Sequence, residues 1–407
     1  MPGHVPAVQS FPGLGGGGGG AGGGKGAVGV VGDPQGVTSA IGGNGGDGGD
    51  HGYVVSTVIP GGYTNTQSWS GTSGTRGQDG TDSQVVGKSA GGGGGGGAGG
   101  YGLVISKGQP VTNQAALNGG DGGDGGDGGV DTNPTATSYV FSGAAGSGGG
   151  GGIGLWMDDD NVSVINASTI TGGAGERAET PRLIVMPLAQ PAMAAPGAGI
   201  YGAEDDGSGN DVARPGSTVV NQAAGVITGG KGGAGGNTDT AQLVSGLWLA
   251  DIIGANGGAG GAGIYGVFSV DNQGGVITGG DGANGGVGSQ DTGVQNGQTR
   301  EAAGGDGGAG VFLVLHDDGS VATVDNAGAI TGGNGGNGGD AKTTGAIAKD
   351  QSVGGHGGAG IQGIQAVLLP ILVVSTAATV AMVAIRPRQA RMTAMAVLPV
   401  MVFRAPI

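Results

Sequence analysis

The stretch "VDNAGAITGGNGGNGGD", Val324–Asp340, opens with alternating apolar and polar residues and ends in glycine pairs separated by single polar residues. On a strand, Val324 and Asn326 share a face, because residues two apart point the same way. Four more segments repeat the spelling: "PVTNQAALNGG", "SVINASTITGG", "VVNQAAGVITGG" and "SVDNQGGVITGG". The Val/Asn pairs are Val111/Asn113, Val164/Asn166, Val219/Asn221, Val270/Asn272 and Val324/Asn326. The apolar residue that follows is Leu117 in the degenerate first copy, then Ile170, Ile227, Ile277 and Ile330, at spacings of 53, 57, 50 and 53 residues.

A second landmark keeps the same period. Small-residue runs turn apolar in "GGYGLVIS", "GGIGLWM", "GAGIYGA", "GAGIYGV", "GAGVFLV" and "GAGIQG", at Leu103, Ile153, Ile200, Ile264, Val311 and Ile361. Each unit therefore reads as a first strand, a short link, a second strand running from Val-x-Asn to Ile-Thr, and a polar glycine-rich excursion of variable length. One unit cannot bury its narrow apolar strip alone, whereas stacked units place Val on Val and Ile on Ile. The expected fold class is all-β, a repetitive parallel β-helix or β-solenoid with long Gly-rich loops. The stacked asparagines either form an amide ladder along the stack or start a turn before glycine.

Glycine supplies 110 of 407 residues, while aromatics are 3%, charged residues 11% and cysteine is absent. Glycine has no side chain to bury and loses the most entropy on folding, so its runs build no apolar core. Runs such as "GGDGGDGGDGG", Gly119–Gly129, have the three-residue period of polyproline II, which permits close lateral packing. The alternative is a flexible, largely disordered spacer. The net charge of −15 argues against nucleic acid, which needs clustered Lys and Arg. It reads chiefly as a means of solubility.

No reaction is legible. Gly87-Lys88-Ser89 ends like a phosphate-binding loop, but Asp82 stands where the motif requires glycine. Asp158–Asp160 suits a turn, and His4, His51, His316 and His356 form no ligand or triad spacing. No cofactor is expected. Calcium stays open through Asp121, Asp124 and Asp127, although the G-G-x-G-x-D runs lack the apolar anchor of a calcium-binding nonapeptide.

Two stretches abandon glycine, at 178–197 and after residue 362, and hold six of the eight methionines. Ala366–Ile385 is a charge-free run of twenty residues followed by Arg386 and Arg388, long enough to span a bilayer. A shifted reading frame accounts for more: Gly-Asn-Gly codons read one base late give Ala-Met-Ala, as at Ala192-Met193-Ala194 and Ala394-Met395-Ala396. The expected organisation is a Gly-rich segment at 1–36 without fixed structure, a passenger-like region at 37–362, and an out-of-frame tail at 363–407.

The units "VINASTITGG", "VVNQAAGVITGG", "VDNQGGVITGG" and "VDNAGAITGG", with "GGAGGAGIYG" between them, resemble the repetitive passenger regions of bacterial autotransporters over roughly residues 30 to 362. The resemblance implies a right-handed parallel β-helix displayed outside the outer membrane or secreted, acting in adhesion to host or neighbouring-cell surface molecules. It also implies a C-terminal barrel, which the tail does not spell. The opening "MPGHVPAVQSF" lacks the regions of a secretory signal, so either export is not its fate or the true beginning is missing. The "GGAGG" and "GGNGG" runs are shared with mycobacterial PGRS proteins, whose helical PE domain is not readable here. The expectation is a non-enzymatic structural or adhesin-like fragment. A calcium-binding secreted module and a membrane-tethered protein are its rivals.

Overall fold

The computed structural model describes residues 41–82, 90–129, 145–176, 197–205, 207, 211–236, 256–286, 288–289, 302–314, 322–339, 341–342, 353–365, 372–375 and 383–387. The out-of-frame readings at 178–196, the Gly87-Lys88-Ser89 loop, His4 and His316 lie outside these residues.

Among the described residues all regular structure is strand. The first repeat contributes β1 (Tyr53–Val55), β2 (Tyr63–Asn65) and β3 (Trp69–Ser70); the second, β4 (Leu103–Ile105), β5 (Pro110–Asn113) and β6 (Leu117–Asn118). The third gives β7 (Leu155–Met157), β8 (Ser163–Asn166) and β9 (Thr169–Thr171). The fourth starts with β10 (Ile200–Tyr201), inserts the pair β11 (Ala203–Asp205) and β12 (Asp211–Ala213), and goes on to β13 (Thr218–Gln222) and β14 (Val226–Thr228). The fifth holds β15 (Ile264–Tyr265), β16 (Ser269–Gln273), β17 (Val276–Thr278) and β18 (Gly288–Ser289). The sixth holds β19 (Val311–Leu313), β20 (Thr323–Asn326), β21 (Ala329–Thr331) and β22 (Ala341–Lys342). After these come β23 (Ile361–Gln365), β24 (Leu372–Ser375) and β25 (Val383–Pro387).

Each repeat sends one strand to each of three parallel sheets. The first sheet runs β1-β4-β7-β10-β15-β19-β23-β25, the second β2-β5-β8-β13-β16-β20-β24, and the third β3-β6-β9-β14-β17-β21. Only β11 and β12 pair antiparallel among the described strands. The register stacks like on like, with Val219 beside Val164 and Val270, and Ile227 beside Ile170 and Ile277.

Three long inward columns run through the core, with Val55, Ile105 and Met157 forming a shorter fourth beside the first. The long columns are Leu103, Leu155, Ile200, Ile264, Val311 and Ile361 in the first sheet; Val111, Val164, Val219, Val270 and Val324 in the second; and Leu117, Ile170, Ile227, Ile277 and Ile330 in the third. Burying each such side chain stabilises by about 1.5–3 kcal/mol, which makes the narrow strip sufficient only because it is repeated.

Two expectations are corrected by the register. Leu103 pairs with Leu155, so Ile153 is not the column residue of its repeat. Ile153 packs instead with Tyr101 and Val104 in a separate cluster. The second strand of the unit is also two strands in two sheets, since the chain bends after Asn. The cause lies in the side chain: the Oδ1 of Asn166 accepts the amide of Ser168 at 3.2 Å, and that of Asn326 accepts Gly328 at 3.1 Å. A local bond two residues ahead turns the backbone.

Of the apolar run Ala366–Ile385, the structure describes only two pieces of backbone. Leu372–Ser375 pairs with β20, and Val383–Ile385 belongs to β25 on β23. No helix among the described residues is long and apolar enough to cross a membrane.

Candidate functional surface

Asn113, Asn166, Asn221, Asn272 and Asn326 are buried at the bend between the second and third sheets, and Asn65 joins them. Each Nδ2 donates to the Oδ1 one repeat on: Asn65 to Asn113 at 2.8 Å, Asn113 to Asn166 at 2.9 Å, Asn166 to Asn221 and Asn221 to Asn272 at 3.0 Å, and Asn272 to Asn326 at 2.7 Å. Ladder and turn thus coexist, since an amide has one acceptor oxygen with two lone pairs and two donor hydrogens. The ladder leaves the Oδ1 of Asn65 without an asparagine donor. Trp69 Nε1 fills that place at 3.1 Å, with the Tyr63 hydroxyl at 3.5 Å.

Tyr53, Tyr63 and Trp69 occupy the registers of Leu103, Val111 and Leu117, the first member of each long core column. Their rings stack, Tyr53 on Trp69 at 4.7 Å and Tyr53 on Tyr63 at 6.2 Å. Three aromatics therefore close the first end of the core. Sequence reading missed this repeat because Tyr63 replaces the valine of Val-x-Asn. The usable signal was the position of Asn65, 48 residues before Asn113.

The glycine runs are hydrogen-bonded at every third residue. Outgoing segments such as 71–82 and 119–129 bond to each other: Gly74 N to Asp121 O and Gly77 N to Asp124 O, both 2.9 Å. Returning segments do the same, as Gly46 N to Gly95 O at 2.8 Å, and the two kinds cross-bond, as Gly94 N to Gln78 O and Gly120 N to Gly100 O, both 2.8 Å. Such bonds bring backbones too close for a side chain: a Cβ at Gly97 would fall on the carbonyl oxygen of Asp47, and one at Gly123 on that of Thr75.

The remaining position of each triplet faces outward and is usually Asx, for a reason beyond solubility. Its side-chain oxygen accepts the amide of the matching residue one repeat on: Asp121 from Ala174, Asp281 from Asn334 and Asp306 from His356, all at 2.8 Å. Asp121, Asp124 and Asp127 are one turn apart along their segment, roughly 9 Å at a rise of 3.1 Å per residue, so they do not converge on one cation. Among the described residues no three His, Cys, Asp or Glu side chains come close enough to hold a metal ion.

On the outer face of the first sheet, Val104, Trp156, Tyr201, Tyr265 and Phe312 form one column by register. Tyr201 stacks on Tyr265 at 5.1 Å and Tyr265 on Phe312 at 4.9 Å, while Tyr101 meets Trp156 edge-on. The β11–β12 pair stands beside them, and Asp211 accepts hydrogen bonds from the hydroxyls of Tyr265 at 2.6 Å and Tyr201 at 3.5 Å. Burial, then the Asp211 carboxylate, push both phenols well above the ordinary tyrosine range. Arg214 bonds Glu204 at 2.9 Å and faces Asp158 at 3.6 Å, while its Nε and the Trp156 Nε1 have no partner among the described residues. The Tyr201, Tyr265 and Phe312 rings lie face to face, whereas Trp156 meets Tyr101 by its edge.

The remaining sequence candidates are dispersed. His51 stacks on Tyr101 at 4.7 Å and accepts its amide at Nδ1, while His356 lies on the exposed glycine rim. Asp159 and Asp160 lie in the bend after β7. No family description, curated protein or solved structure matches the chain.

Proposed function

We propose that this chain is a non-enzymatic structural or adhesive surface protein, whose repeats wind as a parallel β-solenoid with a polyglycine II bundle along one side. The solenoid reading is supported by three parallel sheets that each take one strand per repeat in unbroken register. The bundle reading is supported by the three-residue hydrogen-bond period of the glycine segments.

The observation that carries the functional reading is the outward rim. Inward positions serve packing, whereas the exposed residues that recur at each repeat are short, polar and mutually bonded. A rigid, elongated, repetitive surface presents many equivalent weak contacts at once, and multivalent attachment gains avidity without a deep site. The likeness of the repeats to autotransporter passengers supports display at a cell surface or secretion, with surface molecules of host or neighbouring cells as partners.

The test is attachment under flow. Beads coated with the full chain are passed over epithelial cells, extracellular-matrix proteins and bacterial cells. Retention that rises steeply with coating density is expected, and equal wash-off of coated and bare beads from every surface ends the adhesive reading.

A further inference from the structure

The last returning glycine segment, residues 353–360, is written for a neighbour that the described residues do not supply. In the preceding repeat, a Cβ at Gly304 would fall on the carbonyl oxygen of Gly336 and one at Gly307 on that of Gly333, both in the next outgoing segment. Gly354 and Gly357 are their register equivalents, yet a Cβ there comes no closer than 3.4 Å to Gly336 O and 3.8 Å to Gly333 O. Both glycines are exposed.

Their backbone groups are open as well. Gly304 N and Gly307 N donate to Val353 O and His356 O at 3.0 and 2.8 Å, and Gly305 O and Gly308 O accept from Gly336 N and Gly333 N at 2.8 Å. The matching amides of Gly354 and Gly357 and carbonyls of Gly355 and Gly358 have no partner among the described residues. Beside them lies β21, the end strand of the third sheet, bonded on one side only among the described residues. These amides and carbonyls and the edge of β21 lie on the side that joins every earlier pair of repeats, where the first and second sheets go on to β25 and β24 and the third has no further strand among the described residues.

We propose that this face associates with the same face of a second copy of the chain, related by a two-fold axis. Antiparallel packing of such segments already occurs within the molecule, since the Gly336 and Gly333 amides bond Gly305 and Gly308 in opposite directions. A two-fold axis would set segment 353–360 against its copy in that arrangement, glycine on glycine, and is self-complementary by symmetry. A copy is favoured over a loose glycine-rich peptide because its segment is already ordered. A free segment would lose roughly 1–2 kcal/mol per residue in backbone entropy on docking. The opposite end of a second copy does not fit, because exposed Thr72, Thr75, Gln78 and Thr81 carry side chains where the later outgoing segments have glycine.

The test is sedimentation of the full chain over a concentration series. Wild type shifts from monomer to dimer, while Gly354→Val/Gly357→Val dimerises about tenfold or more weakly, from overpacking at the interface. Its circular dichroism is unchanged, since a Cβ at either position makes only ordinary van der Waals contact in the monomer. A second measurement uses the absence of native cysteine. Gly357→Cys gives disulfide-linked dimers on mild oxidation and Thr72→Cys does not. A wild-type chain that stays monomeric, a valine variant that dimerises like wild type, or equal cross-linking of the two cysteine variants overturns the proposal. Retention of a synthetic Gly-Gly-Asn repeat peptide by a persistently monomeric chain also overturns it and assigns the face to a glycine-rich segment of another protein.

Discussion

The first described repeat and the last leave different things facing along the stack. At the first, Tyr53, Tyr63 and Trp69 close the core columns, Trp69 supplies the donor that the asparagine ladder lacks, and outgoing segment 71–82 keeps glycine only at 71, 74, 77 and 80. At the last, Gly354 and Gly357 are exposed, and β21 has no partner on its outer edge among the described residues. The glycine content of a triplet follows the number of packed sides: one at the closed rim, two in Gly119–Gly129 with Asp outward, and almost unbroken glycine in the fully buried 91–100. Glycine here is written where a neighbour's backbone must approach, not where the chain must be loose.

The contrast breaks most sharply at glycine. Gly97→Val places a side chain on the Asp47 carbonyl and is expected to destabilise by about 3 kcal/mol, while Gly354→Val stays within about 0.5 kcal/mol. Denaturant midpoints of the two variants check this, and equal losses would mean that the last segment is packed after all. Next comes the ladder. Asn221→Ala strands an asparagine on each side and should lose about 3 kcal/mol, whereas Asn326→Ala breaks one ladder bond and should lose about half as much. Trp69→Phe keeps the ring stack but removes the indole donor to Asn65, an expected loss of about 1 kcal/mol in urea unfolding.

The last effect is confined to alkaline pH and does not touch stability near neutrality. Burial raises the phenol pKa of Tyr63, Tyr101, Tyr201 and Tyr265. The folded chain holds protons that the unfolded chain releases above about pH 10, so this contribution is intact below that pH and is lost as pH rises beyond it. Phenolate absorbance should show a late step that coincides with loss of β circular dichroism. Ionisation of every tyrosine near its ordinary pKa, with the fold intact, would contradict the buried column.

The period and the shared face of Val and Asn were legible because each is a spacing rule that one repeat restates for the next, whereas the glycine runs read equally as packed helices or as a loose spacer. What stayed hidden has physical reasons. In "GGIGLWM", Ile153 and Leu155 are two apart and equivalent by alternation, and only pairing with Leu103 separates them. The bend after asparagine depends on where its oxygen turns, which spacing alone does not fix. The outer column had a signal, since an aromatic follows the core residue at Trp156, Tyr201, Tyr265 and Phe312. Asp211 and Arg214 had none, because β11 and β12 occur once and no second copy repeats them. The acidic rim was legible as charge but not as an acceptor, since that role appears only when two repeats lie side by side.

The three-residue hydrogen-bond period also governs how such a gene can change length. An outgoing run that gains one Gly-Gly-Asx triplet keeps its phase against its neighbours, and a matching triplet on the return restores the pairing. Replication slippage in whole triplets therefore lengthens or trims the flank of the molecule while Val219, Asn221 and Ile227 stay in register with their counterparts. A gain of one or two residues instead of a whole triplet shifts that phase, and every later hydrogen bond of the run loses its partner.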